Sequence, residues 1–264
     1  MSKSFWEKYN QRYIKLGSRV CIGLDSQLDK LPQAVRNSQN PILEFNRAII
    51  DATHFYAGAY KPNLAFYLAD GMRGLEALAE TISYIPDDIP VILDCKVGDI
   101  GSTMQGYVRA FFTELKADAI TINPLMGKDV VSPLLEIEGS FGFALALTSN
   151  PGADDFFHNA KMKLEVPRWM QQYPVERIGA VVGATQVQDL KLMRELMPGR
   201  LFLIPGIGAQ GGDLRAVLDN AVHRPEDPRI LINSSRGIIF ASLDDDFAQK
   251  AGQAAKELFE QSRA

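Results

Sequence analysis

Short apolar runs alternate with longer amphipathic segments along the whole chain, and this alternation restricts the available folds more than any other feature. The strand candidates are Val20–Asp25, Ala57–Lys61, Val91–Lys96, Ala119–Asn123, Phe143–Thr148, Ile178–Val182, Leu201–Pro205 and Ile230–Ser234. Each is nearly continuous in Val, Ile, Leu, Ala or Gly, as expected of strands covered on both faces. Between them lie helical patterns. Ser4-Phe5-Trp6-Glu7 predicts a capping box ahead of the first strand, and Thr185-Gln186-Val187-Gln188 predicts another after the sixth. Asn40-Pro41 predicts an N-cap with proline at the first helical position, followed by Ile42, Phe45, Ile49, Ala52 and Tyr56 at helical spacing. Further helices are expected near 71–84, 103–116, 127–136, 160–172 and 211–221, and Phe247, Ala251, Ala254 and Leu258 form a last apolar stripe. Unbroken β-then-α repetition predicts an α/β fold of the (β/α)8 TIM-barrel type, with a doubly wound open sheet as the alternative. The 264 residues suit one such barrel, so residues 1–264 are expected to form a single domain with a helix before the first strand.

Composition narrows the function. The chain is 46% hydrophobic with a formal net charge of −4, which suits a globular protein and not a general nucleic-acid binder. No apolar run approaches the roughly 18 residues that span a bilayer, so no membrane association is expected. The opening MSKSFWEKYNQRYIKLG lacks the apolar core of a secretory signal, and a cytoplasmic protein is expected. Cys21 and Cys95 lie in strand candidates, where buried reduced thiols are expected, and two such cysteines make no metal-binding pattern.

In (β/α)8 barrels the active site forms at the C-terminal ends of the strands. Charged residues end these apolar runs: Asp25, Lys61, Asp94 with Lys96, and Arg236 beyond the eighth. Strand alternation puts Asp94 and Lys96 on one face, about 7 Å apart, with Cys95 and Val97 turned toward the helices. A lone Asp-x-Lys inside a barrel reads as a structural ion pair. With Lys61 and Asp99 available, alternating charges can hold one another ionised, which favours catalysis. The glycine-rich Pro205-Gly206-Ile207-Gly208-Ala209-Gln210-Gly211-Gly212 loop frees N–H groups for an anion, and a helix starting near Gly211 would add its positive end. With Arg236 after the eighth strand it occupies the usual phosphate position of these barrels. Ser149-Asn150-Pro151-Gly152 reads first as a turn, opening a long irregular connection to about Asn159. His54, His158 and His223 are scattered and form no catalytic arrangement.

Taken together, these residues resemble the orotidine 5′-phosphate decarboxylase family, in its longer bacterial form. The motifs are Asp25 after Cys-Ile-Gly-Leu, Lys61 in Tyr-Lys-Pro-Asn, Asp94-x-Lys96-x-x-Asp99-Ile100 with Thr103, Ser149 before Asn-Pro-Gly-Ala, Pro-Gly-Ile-Gly-Ala-Gln-Gly-Gly, and Ser-Arg236-Gly, in family order over residues 20 to 237. The resemblance implies decarboxylation of orotidine 5′-phosphate to uridine 5′-phosphate, the last step of de novo UMP biosynthesis, with no metal and no cofactor. It implies that Lys61, Asp94, Lys96 and Asp99 form a charged tetrad, with Lys96 protonating C6. Asp99 and Thr103 would reach across a homodimer interface. Ser149 and Gln210 would contact the pyrimidine, Asp25 the ribose, and Gly208, Gln210 and Arg236 the phosphate, beside Pro205. Val97 departs from the basic residue of several longer relatives, on the face turned from the site. Two other readings remain open: a metal-dependent keto-gulonate phosphate decarboxylase, and a barrel that binds a phosphate ligand without catalysis.

Overall fold

The computed structural model describes residues 3–183, 187–206, 213–222, 224 and 227–263. Eight parallel strands run in the order β2-β1-β8-β7-β6-β5-β4-β3. They are β1 (Val20–Leu24), β2 (Ala59–Pro62), β3 (Ile92–Val97), β4 (Ala119–Ile122), β5 (Phe141–Leu147), β6 (Ile178–Val182), β7 (Phe202–Ile204) and β8 (Ile230–Ser234). Single bridges, Tyr60 to Val91 and Asn63 to Asp94, join β2 to β3 and close the ring. The barrel was expected, and the open-sheet alternative is excluded by this closure.

Alternation along each strand sorts residues into two cores. Outward side chains such as Ile22, Leu93, Ile120, Val182 and Ile232 pack under the helices with Phe45, Leu78, Val130 and Met193. Inward side chains form a separate cluster of Cys21, Ala59, Ile92, Ala119, Phe143, Leu203 and Leu231. The first helix, Phe5–Leu16, stoppers the lower end. Its capping box is present, with Ser4 Oγ accepting from the Glu7 amide at 3.2 Å and Glu7 accepting from the Ser4 amide at 2.9 Å. Phe5 enters the barrel against Phe141 and Phe143, with ring centroids at 4.7 and 5.5 Å. Tyr9 Oη lies 2.7 and 2.8 Å from the Pro228 and Ile230 carbonyls. Arginines hold the lower loops: the Arg194 guanidinium donates to the carbonyls of Ala221, Met197, Arg200 and Arg229. Burial pushes its pKa down to about 10.

Several helical expectations are adjusted. The segment near 103–116 divides into helix Gly101–Val108 and a π-helical stretch, Arg109–Glu114. The connection after Ser149 is not wholly irregular, because Asp154–His158 forms a π-helical turn. The N-cap at Asn40 is present, its side chain accepting from the Leu43 amide at 3.3 Å. The capping box expected at Thr185 lies outside the described residues. No helix among the described residues is long and apolar enough to cross a membrane.

Phe5→Ala should lower stability in urea unfolding by about 3–5 kcal/mol, because the stopper cannot collapse into the void. A loss below about 1 kcal/mol would mean that the helix only drapes the barrel.

Candidate active site

The barrel interior changes character toward its upper end. Two residues beyond the apolar Ala59, Ile92, Ala119 and Leu231, the same inward face carries Lys61, Asp94, Thr121 and Asn233. All four line one cavity, together with Asp25, Lys96 and Arg236. Val181 and Leu203 give that cavity an apolar wall.

Asp94 is the hub. Its Oδ2 accepts from Lys61 Nζ at 2.9 Å, and its Oδ1 from Lys96 Nζ at 2.7 Å and from Thr121 Oγ1 at 2.9 Å. Lys61 is 4% exposed, whereas half of the Lys96 side chain faces the cavity mouth. Burial pushes the carboxyl pKa up, but the Lys61 and Lys96 ammonium charges outweigh it and hold Asp94 well below the usual carboxylate range. Burial likewise opposes the Lys61 charge, and Asp94 with Asp25 more than reverses it, so its ammonium is held above the ordinary lysine range. Thus a carboxylate and the lysine beneath it are both fixed in charged form. Below them burial pushes the Cys21 thiol up to about 12, an inert group at neutral pH. Both cysteines are free as expected, although Cys95 is only partly buried.

Asp25 stands just past β1, with Oδ1 buried and without a hydrogen-bond partner among the described residues, as is Asn233 Oδ1 on β8. The turn at Asp25 is braced from behind, since Ser26 Oγ donates to Asn46 Oδ1 at 2.5 Å and Tyr67 Oη donates to the Leu24 carbonyl at 3.0 Å. Pro205 and Arg236 line the cavity on the β7–β8 side, and Arg236 opens the short helix Arg236–Ile239. Gly208 and Gln210 lie outside the described residues. The helix after them begins at Leu214, not near Gly211. Asp213 caps it and accepts from the Arg215 and Ala216 amides at 2.8 and 3.4 Å, so those two N–H groups already have an anionic partner.

Three expected site residues are not on the cavity wall. Ser149 sits at the upper end of β5, packed so closely on Gly183 that a Cβ there would lie 2.9 Å from its own. Asp99 and Thr103 lie beyond β3, where the chain turns away. Gly98 presses on the Asn123 carbonyl, leaving no room for a Cβ, and Asp99 Oδ1 accepts from the Ile100 amide at 2.8 Å. Thr103 is exposed. Thr121 and Asn233 were not singled out from the sequence. Their signal was a polar residue at an inward position of an apolar strand, the parity that marks Lys61 and Asp94. Among the described residues no three His, Cys, Asp or Glu side chains are grouped to hold a metal ion.

Residues 18–251 match the model of the orotidine 5′-phosphate decarboxylase / HUMPS family. Orotidine 5′-phosphate decarboxylase of Christiangramia forsetii is 42% identical over 96% of this chain and 95% of its own length. The Porphyromonas gingivalis enzyme of the same name is 43% identical over 92% and 91%. The structure of Leishmania donovani OMP decarboxylase superposes with a TM-score of 0.82 at 35% identity, covering 98% of this chain and 97% of that one.

Asp94→Asn should destabilise the protein by about 3–5 kcal/mol at pH 7, because Lys61 is left buried without its counter-charge. An unfolded aspartate titrates near pH 3.9, so the stabilisation from the depressed Asp94 is complete above about pH 5 and is lost as pH falls through its lower folded value. The gap between wild type and Asp94→Asn in urea unfolding should therefore narrow below about pH 4. A gap that stays constant to pH 3 would contradict an ionised Asp94.

Proposed function

The chain belongs to the orotidine 5′-phosphate decarboxylase / HUMPS family, and on that footing we propose that it converts orotidine 5′-phosphate to uridine 5′-phosphate and CO2 without metal or organic cofactor. The observation that carries this reading is the Asp94 carboxylate clamped between the Lys61 and Lys96 ammonium groups inside a cavity that Arg236 also lines. Breaking the bond between C6 and its carboxylate leaves the electron pair on C6, next to no electron sink. An ammonium fixed beside C6 stabilises that charge as it develops, and Lys96 then transfers its proton to C6 and recovers one from solvent. Asp94 stands against the substrate carboxylate and keeps Lys96 oriented. Because these charges are arranged before substrate arrives, little reorganisation accompanies the reaction. The orphan Asp25 oxygen suits a ribose hydroxyl, and the Arg236 guanidinium suits bidentate contact with phosphate. On the family pattern Gly208 and Gln210 are assigned to the phosphate and Gln210 with Ser149 to the pyrimidine, Ser149 standing at the upper end of β5, off the wall of the cavity. Binding energy from phosphate and ribose is thereby available at the reacting carbon.

Asp99 and Thr103 serve the neighbouring subunit's site in a two-fold dimer. They sit off their own cavity, and the large apolar residues Ile100 and Tyr107 on the same segment, with Leu125 and Met126 just past β4, are 40–64% exposed. That is a face suited to a second copy of this chain.

Lys96→Ala should lower kcat more than about 1,000-fold while leaving a folded protein that binds uridine 5′-phosphate. Activity within about tenfold of wild type, free of contaminating enzyme, would reassign the proton donor. The shared site has its own test. Lys96→Ala and Asp99→Ala, each nearly inactive, should regain about a quarter of wild-type activity when their subunits exchange, since half the dimers are mixed and each carries one intact site. Verified exchange without recovery would place Asp99 in its own subunit's site.

A further inference from the structure

β3 and β4 fall out of step where the charges are assembled. Leu93 pairs with Ile120 and Val97 with Ile122, so Asp94, Cys95 and Lys96 stand opposite Thr121 alone. A bulge of this kind removes ladder partners from the backbone. The Thr121 hydroxyl replaces them, accepting from the Cys95 amide at 3.0 Å and the Lys96 amide at 2.9 Å. Lys96 has a φ of +47°, the left-handed region that residues with a side chain avoid, and such a conformation persists only where the surroundings hold it. A hydroxyl has one proton and two acceptor lone pairs. With both lone pairs taken by amides, its proton is left to point at Asp94 Oδ1, 2.9 Å away. Thr121 is 1% exposed, so water hardly reaches this hydroxyl.

We propose that Thr121 is a positioning residue: its hydroxyl holds the Lys96 backbone in the left-handed bulge and orients the Asp94 carboxylate, and so sets where the Lys96 ammonium stands. This rests on Lys96 being the proton donor. One side chain ties the strained backbone of the donor to the carboxylate that orients it. A threonine that merely filled a strand position would be replaced equally well by valine, which has the same shape and prefers the same structure.

The test compares Thr121→Val, Thr121→Ala and Thr121→Ser with wild type, with Lys96→Ala alongside. Without the hydroxyl, Lys96 can relax from the bulge, and kcat should fall about 100-fold, the scale of an ångström-sized misplacement, while KM for orotidine 5′-phosphate stays within about threefold. Thr121→Ser keeps all three hydrogen bonds and should retain kcat within about fivefold. A folded Thr121→Val or Thr121→Ala with kcat near wild type overturns the proposal, as does Thr121→Ser failing as badly as Thr121→Val. If both hydroxyl-free variants fail to fold while Thr121→Ser is normal, the hydroxyl belongs to the fold and the proposal is also overturned. Lys96→Ala separates the two readings: an active Lys96→Ala removes the proton-donor role itself, whereas an inactive one beside a fully active Thr121→Val removes only the role of Thr121.

Discussion

A buried carboxylate gripped by two ammonium groups is the interaction on which the rest of this structure depends. Taking Asp94 and Lys61 out of water costs several kcal/mol per ion, and their attraction offsets that cost only if the geometry is tight and the remaining hydrogen bonds are made. Here they are made: each Asp94 oxygen has a cationic donor, and one also receives the Thr121 hydroxyl. An array of this kind is fixed before any ligand enters. It needs walls that do not give, and the parallel barrel supplies them by stacking the inward residues of alternate strands in layers.

The two ends of the barrel divide the work accordingly. Below the charges lie small apolar side chains and then an aromatic stopper, Phe5 against Phe141 and Phe143, which closes the lower end. Around that end, arginines are spent on carbonyls. The Arg194 guanidinium serves four of them and also lies 3.7 Å above the Phe202 ring. At the other end Lys96 holds a left-handed backbone, and two buried oxygens, on Asp25 and Asn233, have no hydrogen-bond partner among the described residues. Unsatisfied acceptors and a strained lysine detract from stability, and their position in the cavity gives them a use once a ligand supplies donors.

Much of this was legible in the residues. Runs such as Ile178–Val182 and Ile230–Ser234 coincide with β6 and β8, because strands covered on both faces leave an uninterrupted apolar signature. Parity alone brought Asp94 and Lys96 to one side, and the final residues of the runs marked the rim. What parity could not show was the bulge. Three residues of β3 opposite one of β4 is a property of the pairing, and neither strand records it alone. For that reason Thr121 looked like an ordinary strand residue. The cap at Asp213 is hidden for a related reason: in sequence the glycine-rich stretch before it reads as the source of free amides, while the aspartate that follows caps the helix.

The central claim is that this preformed array of charges suffices for decarboxylation, with no metal taking part. It is tested most directly by following the loss of orotidylate absorbance with the purified, chelator-dialysed protein in the continued presence of chelator. The account predicts undiminished turnover to uridine 5′-phosphate. No turnover, or turnover that returns only when a divalent cation is added back, would contradict it.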